Sequence, residues 1–384
     1  EAFAEIRKLI EFNPAEPRYY GLLADAYLDQ GDNENALKNY QKILELDPEN
    51  GYVHFSLSNY YRMQGDKALS FDHTLKGFRS NEVDVDTKLQ IYLMFSGNVE
   101  EARLTDEETE KLVATLVETH PDDYRVYTVY AELLIKKKRW VEARDQLITV
   151  TEMGVNDYMI WEQILYLDNE LQDWQALYHH TKSAIELFPN QPQVYFFHAV
   201  ACISLEKFEE TIAVSDEGML IVVDNPRMSG QLTFIKGEAQ YKLGMISEAY
   251  ELFDKALVLD PENFIAMNNY AYYLSIEGRD LEKAERMSGK VVERFPDNPT
   301  YLDTYAWVLF KKGNYSLAKF YMETAINKGG SENPTLLEHY GDILFMLDRV
   351  DEAVVNWQKA KEFGGDSEIL EKKIQDRKYY EDKK

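Results

Sequence analysis

The sequence predicts an all-α protein, an α-solenoid of stacked helix–turn–helix repeats. Three observations predict it. Prolines that close an apolar helical stretch recur at a fixed spacing: Pro14 to Pro48 is 34 residues, Pro121 to Pro189 is twice 34, and Pro261 to Pro296 is 35. Midway between such prolines lie Gly31-Asp32, Gly65-Asp66, Gly244 and Gly313-Asn314. Finally, ALKNYQKILELDPEN (36–50) returns as AYELFDKALVLDPEN (249–263), with the same alanine, an aromatic four residues on and an identical Asp-Pro-Glu-Asn ending.

Each element has a local cause. Proline lacks the N–H that continues a helix and disfavours helix in the residue before it, so each closing proline marks a helix end at one phase. Glycine accepts the left-handed conformation that follows a helix. Asp or Asn then caps the next helix by accepting a backbone N–H. Ala36, Ala143, Ala249, Ala284, Ala318 and Ala353 share one phase early in the second helix. Larger partners such as Tyr40, Phe253 and Trp357 lie one turn on and fill the space beside the helix crossing.

These residues carry a family resemblance. Tyr20, Leu23-Ala24, Tyr27, Gly31, Ala36, Tyr40 and Pro48 form one unit that resembles a tetratricopeptide repeat. Gly237, YKLG (241–244), Ala249, Phe253, Ala256 and Pro261 form another. NNYAYYL, TYAWVLFKKGNYSLA and HYGDILF open later ones, with Ala284, Pro296, Tyr305-Ala306, Gly313, Ala318, Ala325, Ala353, Trp357 and Ala360 in family phase. Units are expected to start near Arg18, Tyr52, Tyr124, Tyr158, Gln193, Gly230, Phe264, Thr300 and Thr335. The expected organisation is a partial repeat over 1–16 holding only a second helix, regular repeats over 17–76, an irregular unit with an insertion over 77–122, regular repeats over 123–366 and a capping helix over 367–384. Departures fall at Pro226, three residues late, at Ser70, where alanine is usual, and at SGNVEEARLTDEET (96–109), where polar residues replace a tight turn. The resemblance implies a right-handed superhelix whose first helices line the concave face. There, in the family, extended peptides or helices are held. Because the chain opens inside a unit, a preceding segment carrying targeting information is expected.

Composition narrows the function. The 384 residues carry 42 Lys and Arg against 68 Asp and Glu, a net charge of −26. Such a surface repels phosphate backbones and anionic lipid, which argues against nucleic-acid binding and points to solubility or to a partner of basic character. The single Cys202 allows no intrachain disulfide and no multi-cysteine metal site; in YFFHAVACIS it reads as a small core residue. No apolar run is long enough to span a bilayer.

No phosphate loop, nucleophile elbow or HExxH helix occurs. His179-His180 is the closest histidine pair, but adjacent helix positions diverge by about 100°, so the two are expected at the surface. Asp84 and Asp86 lack the glycine and closing glutamate of a calcium loop. Asn314-Tyr315-Ser316 matches a glycosylation acceptor, and a capping role for Asn314 explains it without a sugar. The reading assigns no catalytic residue, no metal and no cofactor: the chain is expected to be a non-enzymatic scaffold or adaptor.

The resemblance places Phe55, Tyr166, Phe196, Phe234, Tyr241, Tyr272, Trp307, Phe310 and Phe345 on the concave face, with acids among them (Glu132, Glu162, Glu238, Asp303, Glu338 and Asp342) and with Asn59. The rings are either anchors for a bound polypeptide or packing against the next repeat, and both readings stay open here. The densest run is Phe234 to Phe345. Grips on acidic chaperone tails need Lys and Asn along the groove, which these positions do not supply. Two other classes remain: a carbohydrate-binding or nutrient-capture protein, favoured by a coplanar row of exposed rings, and the regulatory arm of an enzyme. The last units resemble bacterial cell-envelope proteins, often lipoproteins. That implies a periplasmic or outer-membrane-attached setting, against a cytoplasmic alternative.

Overall fold

A computed structural model describes residues 2–96 and 104–381. The chain forms two compact bodies, Glu1–Leu187 and Phe188–Lys384. Among the described residues, all regular structure is helical.

In the N-terminal body, α1 (Ala2–Phe12) precedes five helix pairs: α2 (Pro17–Asp29) with α3 (Asn33–Leu46), α4 (Gly51–Met63) with α5 (Lys67–Arg79), α6 (Val85–Ser96) with α7 (Asp106–Thr119), α8 (Tyr124–Lys136) with α9 (Trp140–Glu152), and α10 (Tyr158–Glu170) with α11 (Trp174–Leu187). The C-terminal body holds α12 (Pro192–Ser204) with α13 (Phe208–Ile221), α14 (Pro226–Lys242) with α15 (Ile246–Leu259), α16 (Phe264–Ile276) with α17 (Leu281–Arg294), and α18 (Pro299–Lys311) with α19 (Tyr315–Ala325). After α19 the chain kinks through Ile326–Gly330, where Lys328 and Gly329 leave helical backbone. The last pair, α20 (Pro334–Met346) and α21 (Val350–Glu362), is closed by α22 (Glu368–Asp376). Within this body each helix packs on its chain neighbours, and α12 also touches α14, α16 touches α18, and α18 touches α20. First helices therefore form a row.

The crossings are as tight as the alanine phase requires. Ala36, Ala143, Ala249, Ala284, Ala318 and Ala353 are fully buried, beside buried Tyr40, Phe253 and Trp357. The facing helix is small at the same level. A Cβ on Gly237 would lie 2.8 Å from the Phe253 ring, and one on Gly341 would lie 2.4 Å from the Trp357 indole.

Apart from α6, whose following turn lies outside the described residues, each first helix is followed by a left-handed residue. Glycine supplies it at Gly31, Gly65, Gly244 and Gly313, and Lys138, Gln172, Glu206 and Asp348 take the same conformation in the turns that lack glycine. Asp32 and Asp66 cap the following helices by accepting from Asn35 N and Leu69 N. Asn314 stands at the same position before α19 but makes no side-chain cap bond, so the capping explanation of its acceptor motif fails.

Two expectations need correction. Pro226 is not a late closing proline: it opens α14, 34 residues after Pro192 opens α12, as Pro17, Pro299 and Pro334 open theirs. Proline is favoured there because the first helical N–H has no partner anyway. The helix expected from Ser367 to Lys384 stops at Asp376, where Arg377 turns left-handed. In the SGNVEEARLTDEET stretch, residues 97–103 lie outside the described residues. The rest starts α7, with Thr105 and Glu108 in a reciprocal capping box, Glu108 N donating to Thr105 Oγ1 and Thr105 N to Glu108 Oε2.

Candidate functional site

The nine candidate rings divide by body. In the N-terminal body, Phe55 on α4 is half-buried edge-on against Phe78, with ring centroids 5.8 Å apart, and Tyr166 on α10 is exposed. Phe55 borders a shallow cleft with Asn59, Arg62, Ile91, Met94 and Phe95. In the C-terminal body, Phe234, Trp307 and Phe310 are buried, whereas Phe196, Tyr241, Tyr272 and Phe345 are half-buried. Phe234 lies against Phe253 of its own repeat, so its ring is core. Tyr241 stacks on Tyr273 of the next first helix at 4.1 Å and donates to Glu277 Oε1. Phe345 leans on Trp357 at 6.0 Å.

Trp307 and Phe310 form a stack that runs between repeats. Their ring centroids lie 4.7 Å apart with planes 10° from parallel, and the His339 ring of α20 lies 3.9 Å from Trp307 between centroids on a nearly parallel plane. His339 Nδ1 sits 2.8 Å from Asp303 Oδ1. Burial alone would lower the His339 pKa, but the carboxylates of Asp303, Asp342 and Glu338 outweigh it and raise the value.

The acids of this face are already neutralised within the fold. Lys373 of α22 is almost wholly buried and donates to Asp342 Oδ2 at 2.7 Å and Glu338 Oε1 at 2.8 Å. The Trp357 indole N–H donates to the other oxygen of Asp342 at 2.9 Å. Burial pushes the Asp342 carboxyl up to about 6 despite the opposing pull of Lys373. Three first helices earlier in the row, on α14, Glu238 accepts from Asn269 Nδ2 and Tyr273 OH, and burial raises its pKa too. A free acidic strip is therefore not what the C-terminal first helices present.

The chain itself occupies part of the face. Beyond α22, Tyr379 meets the Phe310 ring edge-on, with centroids 5.8 Å apart, and Glu381 Oε1 lies 2.7 Å from Lys311 Nζ. The Lys311 ammonium also stands 5.3 Å from the Trp307 ring, and Lys373 stands 5.4 Å from the Tyr379 ring. Sequence reasoning missed Lys373, His339, Lys311 and Tyr379. The aromatic pair Tyr379-Tyr380 at the end of a charged helix was the one visible signal; a contact reaching back some 70 residues had none.

Histidine placement also differs from expectation. His180 is not a free surface group: its Nδ1 lies 2.6 Å from Asp168, a fully buried carboxylate that also accepts from Arg144 at 2.7 Å. His54 and His73 touch through their Nδ1 atoms at 3.0 Å. For a metal, the set among the described residues is His198, Cys202 and Glu210, with donor atoms within 4.8 Å of one another. Lys207 Nζ lies 3.8 Å from Glu210 and already supplies positive charge there.

Comparison with known proteins agrees with this architecture. The family model described as TPR repeat matches residues 24–65, and that described as tetratricopeptide repeat matches residues 252–286. A bovine protein named BBSome complex member BBS4 is 23% identical over 257 residues, which is 63% of this chain and 47% of that protein. The chain thus spans about half the length of this curated relative. A solved tetratricopeptide repeat protein from Parabacteroides merdae superposes with a TM-score of 0.50 at 17% identity, covering 66% of this chain and 98% of its own. A chain of the APC/C hetero-tetramer Cut9-Hcn1 does so at 0.51 and 12%, covering 98% and 86%.

Proposed function

Because the chain is a tetratricopeptide-repeat protein, we propose that it is a non-catalytic scaffold that docks a polypeptide on the first-helix face of its C-terminal body. The observation that carries this reading is the seat of residues 379–381: a peptide segment, though the chain's own, already rests on α18 through a ring and an ion pair. Half-buried Tyr241, Tyr272 and Phe345 extend the same row and keep enough accessible area to anchor more. Fully burying an exposed ring is worth about 1.5–3 kcal/mol, so each of these half-buried rings can add about half of that. The bovine relative is named as a member of a complex, which is in keeping with a scaffold.

Carbohydrate capture is the weaker reading. It needs a coplanar row of exposed rings, and of the nine candidates only Tyr166 is exposed. The geometry speaks against a basic partner on α18 and α20, because their acids are paired internally. The cell-envelope setting rests on the sequence resemblance of the last repeats, and fractionation of cells expressing the native gene tests it.

Selection from a displayed random-peptide library on the full chain tests the docking reading. Enriched peptides should bind saturably and lose affinity on Tyr241→Ala, Tyr272→Ala substitution. Absence of any enriched binder, or binders indifferent to those changes and to changes at Trp307 and Phe310, would refute it.

A further inference from the structure

The segment after α22 is placed by specific contacts. Arg377 takes left-handed backbone, φ 54°, and pairs with Asp351, which turns the chain at the end of the helix. Tyr380 then donates to Asp376 Oδ2 at 2.7 Å and stays exposed. Its neighbours on either side face α18: Tyr379 on Phe310, Glu381 on Lys311. Alternation of this kind is what an extended strand of chain gives, with side chains two residues apart on one side.

The seat is selective in its chemistry. Phe310 offers a ring edge, and Phe310 also packs against Tyr315, 5.5 Å away between centroids, so the Tyr379 ring enters an aromatic corner. Lys311 is the cation at the end of α18, mostly shielded from solvent, and a shielded ammonium is favoured only when a carboxylate meets it. Lys373 adds a second positive group beside the ring. The seat therefore takes an aromatic residue and, two positions later, an acid. The holds themselves are modest, because Glu381 is more than half open to solvent and a single ring edge supplies the rest.

We propose that this corner of α18 is a docking site for an extended peptide carrying an aromatic residue followed two positions later by a carboxylate, and that residues 379–381 are its intramolecular occupant. The inference rests on the polypeptide-docking reading above and adds the partner's chemistry and its regulation. A partner bearing such a segment competes with the tail, and the tail, held at a high effective concentration by its short tether, weakens that partner's binding. The chain's own segment thus sets a threshold that only a better-fitting or multivalent partner crosses.

Fluorescence anisotropy with a labelled peptide of residues 376–384 tests this on the full chain. Wild type, Tyr379→Ala/Glu381→Ala, and that double variant carrying Lys311→Glu are compared, each with its melting curve. The expected result is binding to the double variant about tenfold or more tighter than to wild type, lost again on Lys311→Glu. Loss is also expected when the peptide's own Tyr379 or Glu381 becomes alanine. Equal binding to wild type and double variant, or no saturable binding to a double variant that melts as wild type does, would overturn the inference. Should the double variant fail to fold, hydrogen exchange of wild type with excess peptide decides: faster exchange at residues 378–381 supports competition, and unchanged exchange overturns it. Library-selected peptides that lack the aromatic-x-acid spacing and ignore the tail substitutions would also overturn it while leaving polypeptide docking intact. A library yielding no binder removes both.

Discussion

Lys373 donates to Asp342 across 2.7 Å at a point where both side chains are almost wholly shielded from water. The pair joins α22 to α20, and through the Trp357 indole it reaches α21 as well. Truncating one partner of such a pair leaves the other charge buried and alone, which costs about 3–5 kcal/mol. Lys373→Met should lower the stability of the C-terminal body by that order in urea unfolding followed by tryptophan fluorescence. Lys373→Met with Asp342→Asn should lose less than the single change, because no buried charge is orphaned. A single variant as stable as wild type would contradict the assigned role.

Ala249 tests the helix crossing. It is fully buried opposite a first helix whose Gly237 leaves no room for a Cβ beside Phe253. Ala249→Leu should overpack the α14–α15 pair and cost about 1–3 kcal/mol. A thermal melt identical to wild type would remove the alanine from its packing role.

The left-handed turn residues give a test of opposite sign. Glu206 holds φ 57° where other repeats use glycine. A side chain in that conformation costs about 1–2 kcal/mol, and glycine's extra unfolded-state freedom returns about 0.5–1 kcal/mol of that. Glu206→Gly should therefore raise stability by up to about 1 kcal/mol. Gly244→Val should lower it by about 1–2 kcal/mol. Chemical denaturation reads both.

The two bodies should respond to pH in opposite directions through their histidines. Burial, helped by the charge of His54, pulls His73 down to about 4 from its ordinary 6.5. Below 6.5 the unfolded chain takes up a proton that the folded pair refuses, so this contribution to stability is lost as pH falls from about 6.5 towards 4. His339 is raised instead, so its contribution is complete below 6.5 and is lost as pH climbs through its folded value. Asp342, at about 6 against an ordinary 3.8, adds a loss as pH rises between those values. Urea midpoints across pH 4 to 8 should show a flatter acid limb for His73→Asn and a flatter alkaline limb for His339→Gln, each relative to wild type. Unchanged limbs would show that the rings titrate alike in folded and unfolded chains.

The helical frame was legible because its signals are local. Proline N–H loss, glycine after a helix and small alanines at a crossing all act within a few residues, and they place nine first helices to within a few residues of the structure. The capping box at Thr105-x-x-Glu108 was equally local and went unread because the polar run before it suggested an insertion. Pro226 was misread because one residue type marks two phases, closing a helix and opening one. The candidate site was legible only in part. Which face Trp307 and Phe310 occupy follows from periodicity, but their burial depends on His339, 32 residues beyond Trp307, and on Tyr379 at the far end of the chain. The acids of α18 and α20 read as a free strip because nothing near them in sequence shows that Lys373 and His339 neutralise them.

Hydrogen exchange of the full chain, with and without the tightest library-selected peptide, tests the central claim most directly. The account predicts slower exchange along first helices α16, α18 and α20, and faster exchange at residues 378–381 where the tail is displaced. Protection confined to the second helices α15, α17, α19 and α21, or to the N-terminal body, would contradict it.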